Sequence, residues 1–198
     1  MRVRAFPIPM TSHRWLLSPS LSGAALLAAA AVPASVWAAT YATADEVARR
    51  AFKSATAFGE VLVTLTPDEA AALAVPGGAP HGVLRTIEAR QGDAVLGRVV
   101  VDSVIGKFEQ IDYAVALDAA GKVLAVEILT YREGHGGEVR MASWRNQFVG
   151  KSASDPIHVG SDIANISGAT LSCTHVTDGV RRIVAVVALA RRDGALRW

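Results

Sequence analysis

Three hydroxyl side chains lie within six residues near the C-terminal end of the chain, in the segment Ser167-Gly168-Ala169-Thr170-Leu171-Ser172. The residues that follow are apolar at helical spacing and predict a helix from about Leu171 to Arg191. Thr170 is therefore expected in the first turn of that helix or just before it, where free N–H groups and the helix dipole favour a phosphate. The alternative is an ordinary hydroxyl cap after a glycine turn.

A second group of residues, Glu133-Gly134-His135-Gly136-Gly137-Glu138, follows the predicted strand Val123–Tyr131. Its three glycines leave an open backbone that can lie against a flat ligand ring. The loop N–H groups and nearby side chains are candidates for hydrogen bonds to the edge of such a ring. The alternative is a surface turn with solvated charges. His135 is a candidate for stacking or proton donation, although a lone loop histidine is more often simply exposed.

These two motifs, together with the W-x-x-Q-F-x-G-K segment at 144–151, resemble the FMN-binding domain family. That family includes subunits of the sodium-translocating NADH:quinone reductase and of the Rnf electron-transfer complexes. The resemblance extends from about Val95 to Val187. In the family the threonine of the S-G-A-T motif carries FMN through a phosphoester bond, and that threonine corresponds to Thr170 here.

The resemblance implies that FMN is the cofactor and that it is attached covalently to one side chain. The cofactor-binding residues that it implies are Thr170, Ser167, Gly168, Ala169, Leu171, Ser172, Glu133, Gly136 and Gly137. It also implies two partners, an FMN transferase and a membrane-bound redox partner. No residue is assigned a catalytic role. The expected function is therefore a redox carrier, or a subunit of an oxidoreductase, rather than a stand-alone enzyme.

Two other functions are compatible with the same residues. The chain could be a flavin-free or loosely FMN-binding accessory module of a membrane redox complex. It could also be a hydrolase that uses Ser167 or Thr170 with His175, but it has no G-x-S-x-G nucleophile elbow and no acid partner placed by spacing.

The first 38 residues have the pattern of a secretory signal peptide. Three arginines precede an apolar run from Leu21 to Val32, and Val36-Trp37-Ala38 offers small residues on both sides of a cleavage point. The apolar run is short for a membrane span, which needs about 20 residues. We expect cleavage after Ala38 and export to the periplasm, with an uncleaved membrane anchor as the alternative.

Composition excludes several classes of protein. Without the three leader arginines, 17 basic and 18 acidic residues remain, and no basic stripe with interleaved aromatics predicts nucleic-acid binding. Cys173 is the single cysteine, so no internal disulfide is possible. We expect Cys173 to pack as a small apolar side chain. His81 and His158 offer no ligand spacing, so no metal site is predicted.

The hydropathy pattern predicts a single α+β domain, an antiparallel sheet packed by helices. Residues 39–94 are expected to form the N-terminal helices and first strands, and residues 95–198 the FMN-binding core. The pattern predicts strands at 83–90, 95–104, 111–117 and 123–131, after a short apolar run at 60–65. It predicts helices at 45–58 and 138–148, and a further short helix that begins with a capping box at Thr66–Glu69.

Overall fold

The computed structural model describes residues 38–72 and 82–192. The predicted leader lies outside these residues except for Ala38. The strands are β1 (Ala39–Thr40), β2 (Ala57–Thr64), β3 (Val83–Gln91), β4 (Ala94–Ile105), β5 (Gln110–Asp118) and β6 (Val123–Tyr131). The helices are α1 (Ala44–Ala51), α2 (Pro67–Ala72), α3 (Ala142–Arg145) and α4 (Thr170–Arg192), and two 3₁₀ turns span Gly137–Arg140 and Asn146–Phe148.

The six strands form one antiparallel sheet in the order β1-β6-β5-β4-β3-β2. Valine and isoleucine make up half of β4, an interior strand of the sheet, where β-branched side chains pack well on a pleated surface. The sheet and its helices confirm the predicted α+β class. The division predicted between residues 94 and 95 falls at the start of β4.

Each face of the sheet covers its own apolar core. On one face α4 buries Val176, Val180 and Ile183 against β4 and β5. On the other face the shorter α1 buries Val47 and Ala48. Because α4 is held along its length, its first residue has a fixed position at one end of the sheet.

A buried charge network fastens α4 to the sheet. The Asp102 carboxylate accepts hydrogen bonds from the Tyr113 hydroxyl at 2.8 Å and from the Arg182 guanidinium at 2.7 Å, and all three side chains are buried. Burial raises the pKa of Tyr113 well above its ordinary value. Removing Asp102 or Arg182 would break a buried ion pair, which is strongly destabilising. These residues therefore anchor the helix.

The helix predicted at 45–58 is wrong beyond Ala51. Thr43 and Glu46 form a capping box at its start, but Phe52 leaves the helix at φ −119°, ψ 67° and is buried in the core. The chain then enters β2, which pairs with β3 from Ala57 onwards. Tertiary pairing thus overrides the apolar spacing that predicted a longer helix.

The helix predicted at 138–148 is also wrong as a single element. It is divided into a 3₁₀ turn, α3 and a second 3₁₀ turn, because Met141 has extended backbone at φ −63°, ψ 126°. The break lets Trp144 and Phe148 be buried together at 5.2 Å between ring centroids, with Trp144 donating to the Ala164 carbonyl.

The capping box predicted at Thr66 is confirmed by two reciprocal hydrogen bonds with Glu69. Strand β1 was not predicted, because two residues are too few to show a period. Its Ala39 pairs with Tyr131 and its Thr40 with Thr130 at the edge of the sheet. Among the described residues, no helix has the length and apolar character needed to cross a membrane.

Candidate functional site

Two adjoining clefts lie where β6 ends and α4 begins. Both are lined by Glu133, Gly134, His135, Gly136 and Gly168, which we call the shared strip. The narrow cleft, of about 320 Å³, adds Lys107, Phe108, Ala169, Thr170, Leu171 and Ser172. The wide cleft, of about 790 Å³, adds Ala39, Tyr41, Tyr131, Gly137, Glu138, Arg140 and Met141. The fold therefore brings the two sequence motifs together.

Thr170 is the first residue of α4, and its side chain is exposed in the narrow cleft. Its Oγ1 accepts a hydrogen bond from Asn165 Nδ2 at 3.1 Å. The residue before it, Ala169, has no side chain that could cap the helix. The cap alternative for Thr170 is therefore wrong, since a capping residue precedes the first helical residue.

The other two hydroxyls of the motif are placed differently. Ser172 is buried, and its hydroxyl lies 3.1 Å from the Tyr131 hydroxyl, which donates its own proton to the His135 carbonyl. Ser172 must therefore be the donor to Tyr131. Ser167 is exposed but lines neither cleft. Of these three side chains, Thr170 alone combines exposure with a place in the cleft.

Gly136 is the residue of the glycine loop whose backbone conformation and close packing most strongly require glycine. Gly136 has φ +82°, and a Cβ there would lie 2.7 Å from Ser172 Oγ and 2.9 Å from the Tyr131 hydroxyl. Only glycine meets both conditions without strain. Gly137 has no such constraint, since its nearest neighbour would be the flexible Arg140 guanidinium at 3.1 Å. The loop therefore lies against the start of α4 at Gly136.

Glu133 contacts a neighbouring turn rather than reaching freely into the clefts. Its Oε1 accepts hydrogen bonds from the backbone N–H groups of Phe108 at 2.6 Å and Glu109 at 2.9 Å. Burial alone would raise the pKa of Glu133, but the hydrogen bonds from Glu109, Phe108 and Lys107 outweigh it, and the pKa lies below its usual value. The carboxylate therefore holds the β4–β5 turn, residues 106–109, at the edge of the narrow cleft.

Several residues of the clefts were missed by sequence reasoning. Lys107 and Phe108 line the narrow cleft, and the Lys107 ammonium lies 4.8 Å from the Phe108 ring centroid. Tyr41 and Arg140 line the wide cleft, with the guanidinium 4.4 Å from the Tyr41 ring centroid. An aromatic residue in a polar turn, as at Phe108, was the one available signal.

Asn165 was also missed, because nothing in its sequence position sets it apart. The hydrogen bond to Thr170 Oγ1 exists only once the loop before α4 is folded.

The histidines and the cysteine divide into structural and exposed residues. His135 is exposed on the shared strip. His175 is half-buried, and its Nδ1 faces the carbonyls of Ile105 and Gly106. Cys173 is fully buried, and that burial raises the pKa of its thiol, as expected of a packing residue. Within the described residues, no three His, Cys, Asp or Glu side chains form a group that could hold a metal ion.

Comparison with known proteins identifies the domain. Residues 106–185 match the family model of the FMN-binding domain. This segment is an FMN-binding domain. The matched segment begins in the β4–β5 turn and ends within α4, so it contains both the glycine loop and Thr170, and it lies inside the range predicted from sequence. FMN is the cofactor of the domain.

Among solved structures, the chain is similar to the crystal structure of Shewanella oneidensis NqrC, with 14% identity and a TM-score of 0.47, over 73% of this chain and 97% of that chain. Among curated proteins, none matches the chain.

The residues of the FMN-binding domain suit this cofactor. Gly134 and Gly168 line both clefts and have open space where a Cβ would stand, so any other residue would extend into the room that a ligand needs. Phe108 and Leu171 offer apolar surface for a flat ring. Lys107 and the positive end of α4 offer charge for a phosphate. The cleft volumes lie in the usual range for cofactor sites.

Proposed function

We propose that this protein is an exported electron-transfer flavoprotein that carries FMN through a phosphoester to Thr170 and relays electrons to or from a membrane-bound reductase. The observation that carries the proposal is the exposed hydroxyl of Thr170 at the first residue of α4, inside the narrow cleft of an FMN-binding domain. An isoalloxazine ring exchanges one or two electrons, which is the chemistry that an electron carrier needs.

The hydrogen bond from Asn165 suits Thr170 for ester formation. Because Asn165 Nδ2 donates to Oγ1, the hydroxyl proton of Thr170 is not needed for that bond and can leave. In the attachment step Oγ1 would form a bond to the FMN phosphorus of a flavin dinucleotide, and the bond from that phosphorus to the bridging diphosphate oxygen would break. The nucleoside monophosphate would leave with that oxygen, and the hydroxyl proton would pass to a base of the FMN transferase. The amide can still donate to the ester oxygen afterwards.

The charge at the start of α4 favours the product. The phosphodiester carries one negative charge, and the first turn of α4 contains no acidic side chain. Its free N–H groups and dipole therefore remain available to an anion. The exposed Lys107 lies in the same cleft and adds a second positive group. We infer that the attached phosphate is stabilised by both.

Export is supported by the composition of residues 1–38. A processed chain would begin at Ala39, whose strand β1 pairs with the end of β6, so processing after Ala38 would leave this edge of the sheet complete. A carrier that faces the periplasm would exchange electrons with a membrane-bound partner there. The proposed partners are accordingly an FMN transferase and a membrane-bound redox protein.

The experiment is intact mass spectrometry, with in-gel flavin fluorescence, on denatured protein exported together with an FMN transferase. We expect a chain that begins at Ala39 and carries the mass of FMN less one water. Thr170→Ala should lose this addition completely, while Thr170→Ser should keep it.

Ser167→Ala and Ser172→Ala are the matched controls, because each removes a neighbouring hydroxyl of the same motif. Both should retain the added mass. Flavin that is lost on denaturation of the wild type would contradict the covalent bond and favour loosely bound FMN. A full-length mass would contradict cleavage of the leader.

A further inference from the structure

Phe108 is an exposed aromatic residue at the rim of the narrow cleft. It exposes 75% of its surface, more than any other large apolar residue described. Leu171, 46% exposed, lines the same cleft as Phe108 and Thr170. Large apolar side chains exposed together at the edge of a cleft mark binding sites more often than ordinary surface.

The turn that carries Phe108 is fixed by the structure around it. The Glu133 carboxylate, from the loop after β6, accepts hydrogen bonds from two backbone N–H groups of this turn. Within the turn, the Gly106 N–H donates to the Glu109 carbonyl at 2.8 Å. His175 from α4 lies against it with Nδ1 facing two carbonyl oxygens, so Nδ1 must carry a proton and donate. Side chains from two separate elements thus hold an aromatic ring out toward solvent.

One face of the Phe108 ring is already occupied by a cation. The Lys107 ammonium lies 4.8 Å from the ring centroid, an arrangement that is modestly attractive at exposed sites. The ring therefore has a second face that can contact a ligand in the cleft.

We propose that Phe108 is the stacking platform for the isoalloxazine ring of FMN, with Glu133 and His175 as positioning residues that hold its turn in place. The inference rests on the proposed function, since Thr170 and Phe108 line the same cleft. Leu171 supplies apolar contact for the same ring. Offset stacking of aromatic rings is favourable beyond the area that it buries.

The experiment measures how firmly the attached ring is held. Time-resolved fluorescence anisotropy of the flavinylated protein separates slow tumbling with the whole chain from fast local motion of the ring. The ratio of the slow amplitude to the fast amplitude measures the population of docked flavin ring relative to free ring. In Phe108→Leu and Phe108→Ala we expect this ratio to fall about two- to tenfold, from the usual strength of aromatic pairs.

The controls separate a flat ring from mere bulk and from general instability. Phe108→Tyr keeps the ring and should keep the wild-type ratio and the visible circular dichroism of the flavin. Leu62→Ala removes another exposed apolar side chain, on the edge strand β2, and should change neither signal.

Loss of the positioning residues should act through the same readout. Glu133→Gln and His175→Ala should lower the anisotropy ratio less than Phe108→Ala, because the aromatic ring is still present on a looser turn.

Failure of this inference differs from failure of the proposed function. Attached FMN with an unchanged anisotropy ratio in Phe108→Leu and Phe108→Ala would overturn the stacking role and leave the attachment at Thr170 intact. The same ratio loss in Leu62→Ala would also overturn it, since the effect would then be general. Absence of attached FMN in the wild type would overturn both.

Discussion

The narrow and wide clefts have similar components and differ in what those components can do. Each has an aromatic ring with a cation above it, Phe108 with Lys107 in one and Tyr41 with Arg140 in the other. The narrow cleft contains the exposed hydroxyl of Thr170 together with Phe108 and Leu171, whereas the wide cleft is larger and is lined by the charged Glu138 and Arg140. We therefore expect the narrow cleft to attach and hold the cofactor and the wide cleft to admit a soluble reactant.

The shared strip lines both clefts, and Gly136 is its most closely packed residue. We therefore expect the largest effect on stability from a substitution at Gly136. Gly136→Ala forces an L side chain into φ +82° and drives its Cβ against Ser172 and Tyr131. We expect a loss of about 2–4 kcal/mol in the free energy of unfolding, from left-handed strain and overpacking together. Urea denaturation of the protein prepared without flavin measures this loss, so that no bound cofactor contributes to it.

Gly134→Ala is the matched control for Gly136. It lies two residues away on the same strip, its φ is not in the left-handed region, and its Cβ would meet no atom within 4 Å. Its stability should stay within about 0.5 kcal/mol of the wild type, as at ordinary surface positions. Equal losses in both variants would show that the strip tolerates no side chain anywhere, and the special place of Gly136 would be refuted.

Arg140 tests whether the wide cleft is the route for a reactant. Its guanidinium faces this cleft, held by Tyr41 and by a 2.9 Å hydrogen bond to the Gly137 carbonyl. A positive group beside a flavin should raise the local concentration of an anionic reductant such as dithionite. In Arg140→Ala we expect stopped-flow reduction about two- to fivefold slower at low salt, a difference that shrinks as salt rises.

Lys107→Ala is the counterpart in the narrow cleft. If the two clefts have separate roles, this variant should change dithionite reduction less than Arg140→Ala does. Arg140→Ala should in turn leave the anisotropy ratio of the flavin unchanged. A larger rate effect from Lys107 would reverse the assignment, with the reductant entering on the Phe108 side.

Much of the fold and part of the site could be read from the sequence. The valine-rich run at 95–104 and the alternation of apolar and polar residues at 111–117 predicted the central strands, because the side-chain period of a strand is fixed by geometry. The small residues before α4 predicted the loop that displays Thr170. The helix predictions at 45–58 and 138–148 failed because long-range contacts determine the backbone there. Phe52, for example, ends α1 and is buried in the core.

The missing parts of the site share one physical cause. Phe108 and Arg140 reach the clefts only because the sheet brings the β4–β5 turn and the loop after β6 to the same end, and no local period encodes that meeting. Glu133 was predicted beside the flavin on the resemblance, but its hydrogen bonds to the turn at Phe108 depend on the same tertiary arrangement.

We expect the smallest effect from Glu133. This residue lines both clefts, but its hydrogen bonds hold only the β4–β5 turn, which belongs to the narrow cleft. Because its folded pKa is lowered, its stabilising contribution is present above the unfolded value, about 4.3, and is lost as pH falls through the folded value. The anisotropy ratio of the wild type should therefore fall in acid, and that of Glu133→Gln should change less with pH. The rate of dithionite reduction, which depends on Arg140, should keep its dependence on salt in Glu133→Gln. Glu109→Gln, on the same turn but donating only its backbone N–H to Glu133, should retain the wild-type pH response. If the anisotropy ratio of Glu133→Gln still fell in acid, another group would be titrating, and the claim that ionised Glu133 holds the β4–β5 turn would be refuted.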